Sequence, residues 1–259
     1  MLFTYKNSMR VLLFLLTTFL LFSCNSTSQS ENKTVQKPAH VLIFMDKTAS
    51  VDVTKDFVYQ KYSSIIKDAI EKYIRKEGDI LDIYYIHENT AKGKSLSLVS
   101  RTAREDTYGM NSTDLEAAQT NYEFSLKKEH NVFVRQALAK LKQKNGGNSN
   151  AETNISASLP ILNDAAMSGA TVQVYFLSDM VESLKNGRDF HVNPPASSEE
   201  AQRWAEDDLN RFADFNLNGV NVMFVLPFEP TSSSKENNPN VTTYWQLLFE
   251  GLGATTEEI

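Results

Sequence analysis

The chain has 259 residues, 41% hydrophobic and 22% charged, which are ordinary fractions for a folded soluble protein. Its 26 basic and 32 acidic side chains give a formal net charge of −6. That balance lacks the basic face a phosphate backbone requires, so no nucleic acid is expected as a partner. Cys24 is the only cysteine, which excludes an internal disulfide. His40, His87, His130 and His191 lie far apart, without HxxH or CxxC spacing, so a zinc site built on nitrogen or sulfur is not expected.

The N-terminus reads as an export segment. Lys6 and Arg10 form a positive start, and Val11 to Phe22 carries no charge. Those twelve residues span roughly 18 Å as helix, short of the roughly 30 Å hydrocarbon core, so this is signal-peptide length rather than a membrane span. Leu21-Phe22-Ser23-Cys24 resembles the bacterial lipobox, whose cysteine is diacylglycerol-modified and becomes the new N-terminus. The resemblance implies a lipoprotein signal peptide over residues 1–23, a lipid on Cys24, and a chain held at a membrane of a bacterial cell envelope. Removing Lys6 and Arg10 leaves 24 basic and 32 acidic residues, a net charge of −8. Asn25 to Pro38 is too polar to fold by itself, so residues 24–38 are expected to be a flexible tether. Residues 39–259 then form one domain.

Within that domain, His40 to Met45, Ile80 to Ile86, Val172 to Leu177 and Val220 to Leu226 are short, continuously apolar runs. Such runs suit strands buried on both faces of a parallel sheet. Ser95 to Ser100 is a weaker strand candidate, expected at an edge. Between the strands, Phe57 to Ile74 repeats apolar residues at helical spacing, with Thr54 or Asp52 expected to cap it. Val132 to Leu141, Ile155 to Ala166, Ser198 to Phe215 and Tyr244 to Leu252 read as further helices. The alternation predicts an α/β fold: a Rossmann-like open, mostly parallel sheet flanked by helices. Thr102 to Tyr122 and Glu182 to Pro195 are expected to be long polar loops, the second carrying Asn186-Gly187 and a Pro-Pro pair. Trp204 and Trp245 are expected in the core. Glu199, Glu200, Glu206, Asp207 and Asp208 read as a solvated helix face.

Candidate chemistry collects after two of the strands. Asp46, Thr48 and Ser50 follow the first strand, and ligands of open α/β sheets bind at carboxyl ends of strands. One carboxylate and two hydroxyls make a hard oxygen set suited to Mg²⁺, Mn²⁺ or Ca²⁺. The turn-rich Asn145-Gly-Gly-Asn-Ser-Asn150 leads to Thr153, before a helix. Asp179 emerges from the strand ending at Leu177, as Asp46 does from its own.

Asp46-x-Thr48-x-Ser50, then Thr153, then Asp179 in Leu177-Ser178-Asp179-Met180, resembles the metal-ion-dependent adhesion site (MIDAS) of von Willebrand factor A (vWA) domains. The usual patterns are Asp-x-Ser-x-Ser, and Thr-Asp-Gly or Ser-Asp-x. Here Thr48 keeps the hydroxyl and adds a methyl, and Met180 stands where glycine is usual. The resemblance spans roughly residues 39 to 253 and implies a vWA fold. Thr48, Ser50 and Thr153 would supply hydroxyl ligands. Asp46 and Asp179 would act directly or through water, and one open position would await an acidic side chain of a partner protein. The expected role is a membrane-anchored binding module, not an enzyme. A metal-independent structural lipoprotein is the alternative. An aspartate phosphatase using Asp46 is a further one, but it would need an acid where Thr48 stands. Gly93-Lys94-Ser95 lacks the glycine that a phosphate-binding loop needs at position 88, where Glu88 stands, and reads as a turn.

Overall fold

The computed structural model describes residues 37–144, 152–229, 231–233 and 237–259. The expected signal peptide, Cys24, the tether as far as residue 36 and the 145–150 turn lie outside the described residues. The strands are β1 (Ala39–Asp46), β2 (Ile80–Ile86), β3 (Lys94–Val99), β4 (Thr171–Leu177), β5 (Val220–Val225) and β6 (Thr255–Glu258). The helices are α1 (Asp56–Tyr73), α2 (Ser112–Lys142), α3 (Leu159–Met167), α4 (Ser198–Arg211) and α5 (Pro239–Gly251).

The apolar runs became strands because each buries both faces. The sheet order is β3-β2-β1-β4-β5-β6, with only the β2–β3 pair antiparallel. Odd-numbered Val41, Ile43 and Met45 of β1 face α1 and α2. Even-numbered Leu42 and Phe44 face α3, α4 and α5, as the period of two requires. Phe44 stacks on Phe176 with ring centroids 4.8 Å apart, and Phe249 of α5 packs on Phe176 and Phe224. Trp245, fully buried, donates its indole N–H to the Met180 carbonyl at 2.8 Å and docks α5 on the sheet. Trp204 is half-buried and stacks on Phe190. No helix among the described residues is long and apolar enough to cross a membrane.

Several expectations need correction. Thr102 to Tyr122 is not one loop, because α2 begins at Ser112, capped by the Asn111 side chain accepting from the Asp114 N–H. Its first half is polar and buries a thin stripe of Ala118, Tyr122 and Leu126, too sparse to stand out in sequence. Neither Thr54 nor Asp52 caps α1. Lys55 holds that position without a side-chain bond, and Asp52 accepts instead from Thr54. The segment at Ile155 enters as a 3-10 turn, Ser156–Ser158, before α3. The helix beginning at Ser198 stops at Arg211 rather than running to Phe215, and α5 starts earlier than expected, at Pro239, with Asn238 as its cap. Strand β6, Thr-Thr-Glu-Glu, carries no apolar signature and pairs as a parallel edge on β5. Asp208 is buried, not solvated, accepting from Arg188 and from the Tyr244 hydroxyl.

The strand order fixes where a site can form. The chain winds outward from β1 through β2 to β3, then returns to β4 on the other side of β1 and winds outward again. The β1–β4 boundary is therefore the topological switch point, where loops diverge and leave a crevice at the strands' carboxyl ends.

Candidate metal centre

Asp46 is the last residue of β1, and Asp179 lies two residues beyond β4, so both emerge at the switch point. The backbone after Asp46 turns at once. The Lys47 N–H donates to the Ile86 carbonyl at 3.1 Å, closing the β1–β2 ladder. The Thr48 N–H and hydroxyl both donate to Asp46 Oδ1, at 2.9 and 2.5 Å. A side-chain carboxylate bonding the backbone two residues on is the Asx turn that acidic residues favour. It swings Thr48 Oγ1 to 3.2 Å from Ser50 Oγ.

The β4 loop mirrors this. Asp179 Oδ1 accepts from the Val181 N–H at 3.0 Å, and Ser50 hydrogen-bonds the Asp179 side chain, joining the two loops. Ser178 Oγ donates to the second Asp46 oxygen at 2.6 Å and accepts from the Met180 N–H at 3.0 Å. Ser178 is a site residue that pattern reading passed over, although it was spelled out in the Leu177-Ser178-Asp179-Met180 string. Met180 sits at φ 60°, in the left-handed region, at the position where glycine is usual in the motif it resembles. The loop thus keeps the backbone shape that a glycine would allow, held by the Ser178 and Trp245 bonds on either side of Met180.

Thr153 is brought to the same edge by its backbone. Its N–H donates to the Ser183 carbonyl at 3.2 Å and its carbonyl accepts from Ser183 at 2.9 Å, while the Asn154 N–H reaches the His87 carbonyl just past β2. Glu182 secures this arrangement by accepting from the Ser156 N–H at 2.7 Å and from the Ser156 hydroxyl at 3.1 Å. Asp46, Thr48, Ser50 and Asp179 therefore form one bonded cluster, while Thr153 lies on a separate segment tied to it through Ser183, past β4.

The electrostatics are those of an anion pair without a partner. Asp46 is 2% exposed and Asp179 8%. Burial, then the Asp179 charge, push Asp46 up to about 6 against the hydrogen bonds from Ser178 and Thr48. Burial also raises Asp179, opposed by its bonds from Val181 and Ser50 and by the His191 charge. No lysine or arginine pairs with either acid among the described residues. The adjacent Lys47 points elsewhere, its Nζ donating to the Lys140 and Leu141 carbonyls at 3.0 and 2.7 Å, where it satisfies the C-terminal end of α2. Burial lowers it to about 8.

These residues fit a hard divalent ion. No three His, Cys, Asp or Glu gather to hold a metal among the described residues, so an ion here rests on hydroxyls beside two carboxylates. Thr48 and Ser50 direct their protons at the acids, which leaves their lone pairs free for a cation. One atom nearby stays unsatisfied. The Tyr62 hydroxyl of α1 is fully buried without a hydrogen-bond partner, a condition that costs about 1–3 kcal/mol. A cleft of about 1210 Å³ opens beside the cluster, lined by Ser50 and Asp179 and walled by Phe57, Phe190, His191 and Phe228.

No family model matches the chain, and no curated protein matches it. Solved structures do. One is a von Willebrand factor type A protein from Catenulispora acidiphila, at 15% identity over 86% of this chain and 39% of that one, with a TM-score of 0.36. Another is proximal thread matrix protein 1 from the mussel byssus with a zinc-occupied MIDAS motif, at 9% identity over 86% and 44%, TM-score 0.34. A third is the manganese-loaded TRAP protein of Plasmodium vivax, at 11% identity over 79% and 62%, TM-score 0.35. The chain spans between 39% and 62% of the length of these structures. Its own sheet, mostly parallel and open with helices on both faces, makes it an α/β protein of the class its strand–helix alternation predicts.

Proposed function

We propose that this chain is a vWA-type binding module, anchored to a bacterial envelope membrane through a lipid on Cys24, that engages a protein partner through a divalent ion. Thr48, Ser50 and Thr153 would hold the ion by their hydroxyls, with Asp46 and Asp179 acting directly or through water. Bound there, the ion would supply a positive centre able to attract an acidic side chain of the partner. Two carboxylates leave a divalent ion near neutral, so a third is electrostatically tolerable. The cleft along Phe57 and Phe228 gives the rest of the partner a surface to lie against.

The observation that carries this reading is the pair of buried acids at the switch point, bonded by hydroxyls and with no salt bridge to a lysine or arginine among the described residues. The same bonds speak against a phosphatase. Both Asp46 oxygens are engaged, by Thr48 and by Ser178, and no second acid stands at position 48.

Thermal unfolding of the full chain with Mg²⁺, Mn²⁺ or Ca²⁺ tests it. At a hundredfold excess over the dissociation constant, a bound ion should stabilise by about 2.7 kcal/mol, and Asp46→Ala should abolish the gain. No response to any of the three ions would sink the metal site. Partner capture from envelopes should be lost in chelator, whereas equal capture would favour a metal-independent structural role.

A further inference from the structure

Tyr62 is the one large side chain of α1 whose polar atom has no account in the fold. It lies in the stripe that shares one buried cluster with Met45, Leu177 and Val225, all apolar. A phenylalanine would fill that stripe with nothing left to satisfy. The tyrosine instead buries a hydroxyl completely, without a hydrogen-bond partner among the described residues, which native interiors rarely tolerate. Met45 and Leu177 immediately precede Asp46 and Ser178, so Tyr62 belongs to the same buried cluster as the strand ends from which the candidate site is built. The charges of Asp46 and Asp179 both reach the hydroxyl and, after burial, hold its proton on. The group is therefore a donor, held protonated within the field of the two acids and bonded to neither.

We propose that Tyr62 is a positioning residue of the ion site, its hydroxyl hydrogen-bonding the Asp46–Asp179 pair, directly or through one water, when a divalent ion is held there. This rests on the metal-binding reading above. In the metal-free protein the hydroxyl is a liability, and with the ion present it orients the acids that face the ion. Outer partners of this kind commonly change metal affinity by 10- to 100-fold. Tyr62 belongs to no part of the Asp-x-Thr-x-Ser, Thr or Asp pattern, and its place in a helical apolar stripe hides it from motif reading.

The test compares the full chain with Tyr62→Phe, using Mg²⁺ and Mn²⁺ alone as probes. Titration calorimetry should show about tenfold weaker binding in the variant, while its metal-free unfolding midpoint stays level or rises, because an unsatisfied buried oxygen has gone. Adding ion to the unmodified chain should also perturb the near-ultraviolet tyrosine spectrum, and Tyr62→Phe should remove that change. A purely structural tyrosine would move neither the affinity nor the spectrum. Undiminished binding by Tyr62→Phe overturns the role of Tyr62 and leaves the metal site standing. No binding by the unmodified chain overturns both.

Discussion

Two buried aspartates show what distinguishes a finished interaction from one left open. Asp208 accepts from Arg188 Nε and from the Tyr244 hydroxyl, each at 2.8 Å, and Arg188 lies over the Trp204 ring. Its charge is matched inside the chain. Asp46 has three hydrogen bonds to the two of Asp208, but they come from two hydroxyls and one backbone N–H, and a second acid pushes against its charge. Neutral donors satisfy lone pairs without cancelling charge. One region holds helix α4 against helix α5, while the other holds two buried acids at the switch point with no salt bridge among the described residues, which is the property a cation site needs.

The largest expected effect breaks the finished pair. Arg188→Met should lower unfolding free energy by about 3 kcal/mol, at the low end for a buried pair because the arginine is 25% exposed, as read by urea unfolding. No dependence on divalent ion should accompany the loss. A smaller effect comes from Glu182, the acid between the two regions. Burial raises it to about 7 against its bonds from Ser156, with the Asp208 charge adding to the rise. The folded state therefore binds the proton more tightly than the unfolded chain. The resulting stability is present below about 4.5 and is lost as pH climbs to about 7. Glu182→Gln cannot ionise, so its unfolding free energy should gain on that of the unmodified chain across that window, by on the order of 2 kcal/mol. A constant difference at all pH values would show that Glu182 is not held protonated. The smallest effect has the opposite sign to the first. Asp179→Asn relieves the like-charge contact, and the metal-free midpoint should rise by about 1–2 °C at neutral pH. A fall would mean that the acids are already neutralised.

Much of this was legible in the residues. The runs from His40, Ile80, Val172 and Val220 declared buried strands because apolar continuity on both faces has few other uses. The Asp46, Thr48, Ser50 spacing announced a turning loop of oxygens. What escaped was weakly patterned or depended on distance. The first half of α2 buries every fourth residue in a polar sequence. Strand β6 has no apolar pattern and is fixed by backbone pairing and a Thr256–Glu250 side-chain bond. Asp208 looked solvated in an acidic stretch until Arg188, twenty residues earlier, folded against it.

The sequence by itself determined the alternation of elements, the α/β class and the identity of the oxygens, because periodicity and side-chain chemistry are local properties. Only the tertiary structure decided that β1 and β4 lie side by side, with Asp46 and Asp179 sharing one crevice and one field. The same is true of Ser178 bonding Asp46 across 132 positions and of the Tyr62 hydroxyl left buried without a partner. Pairing order and burial are set by the whole sheet, and no window of sequence contains them.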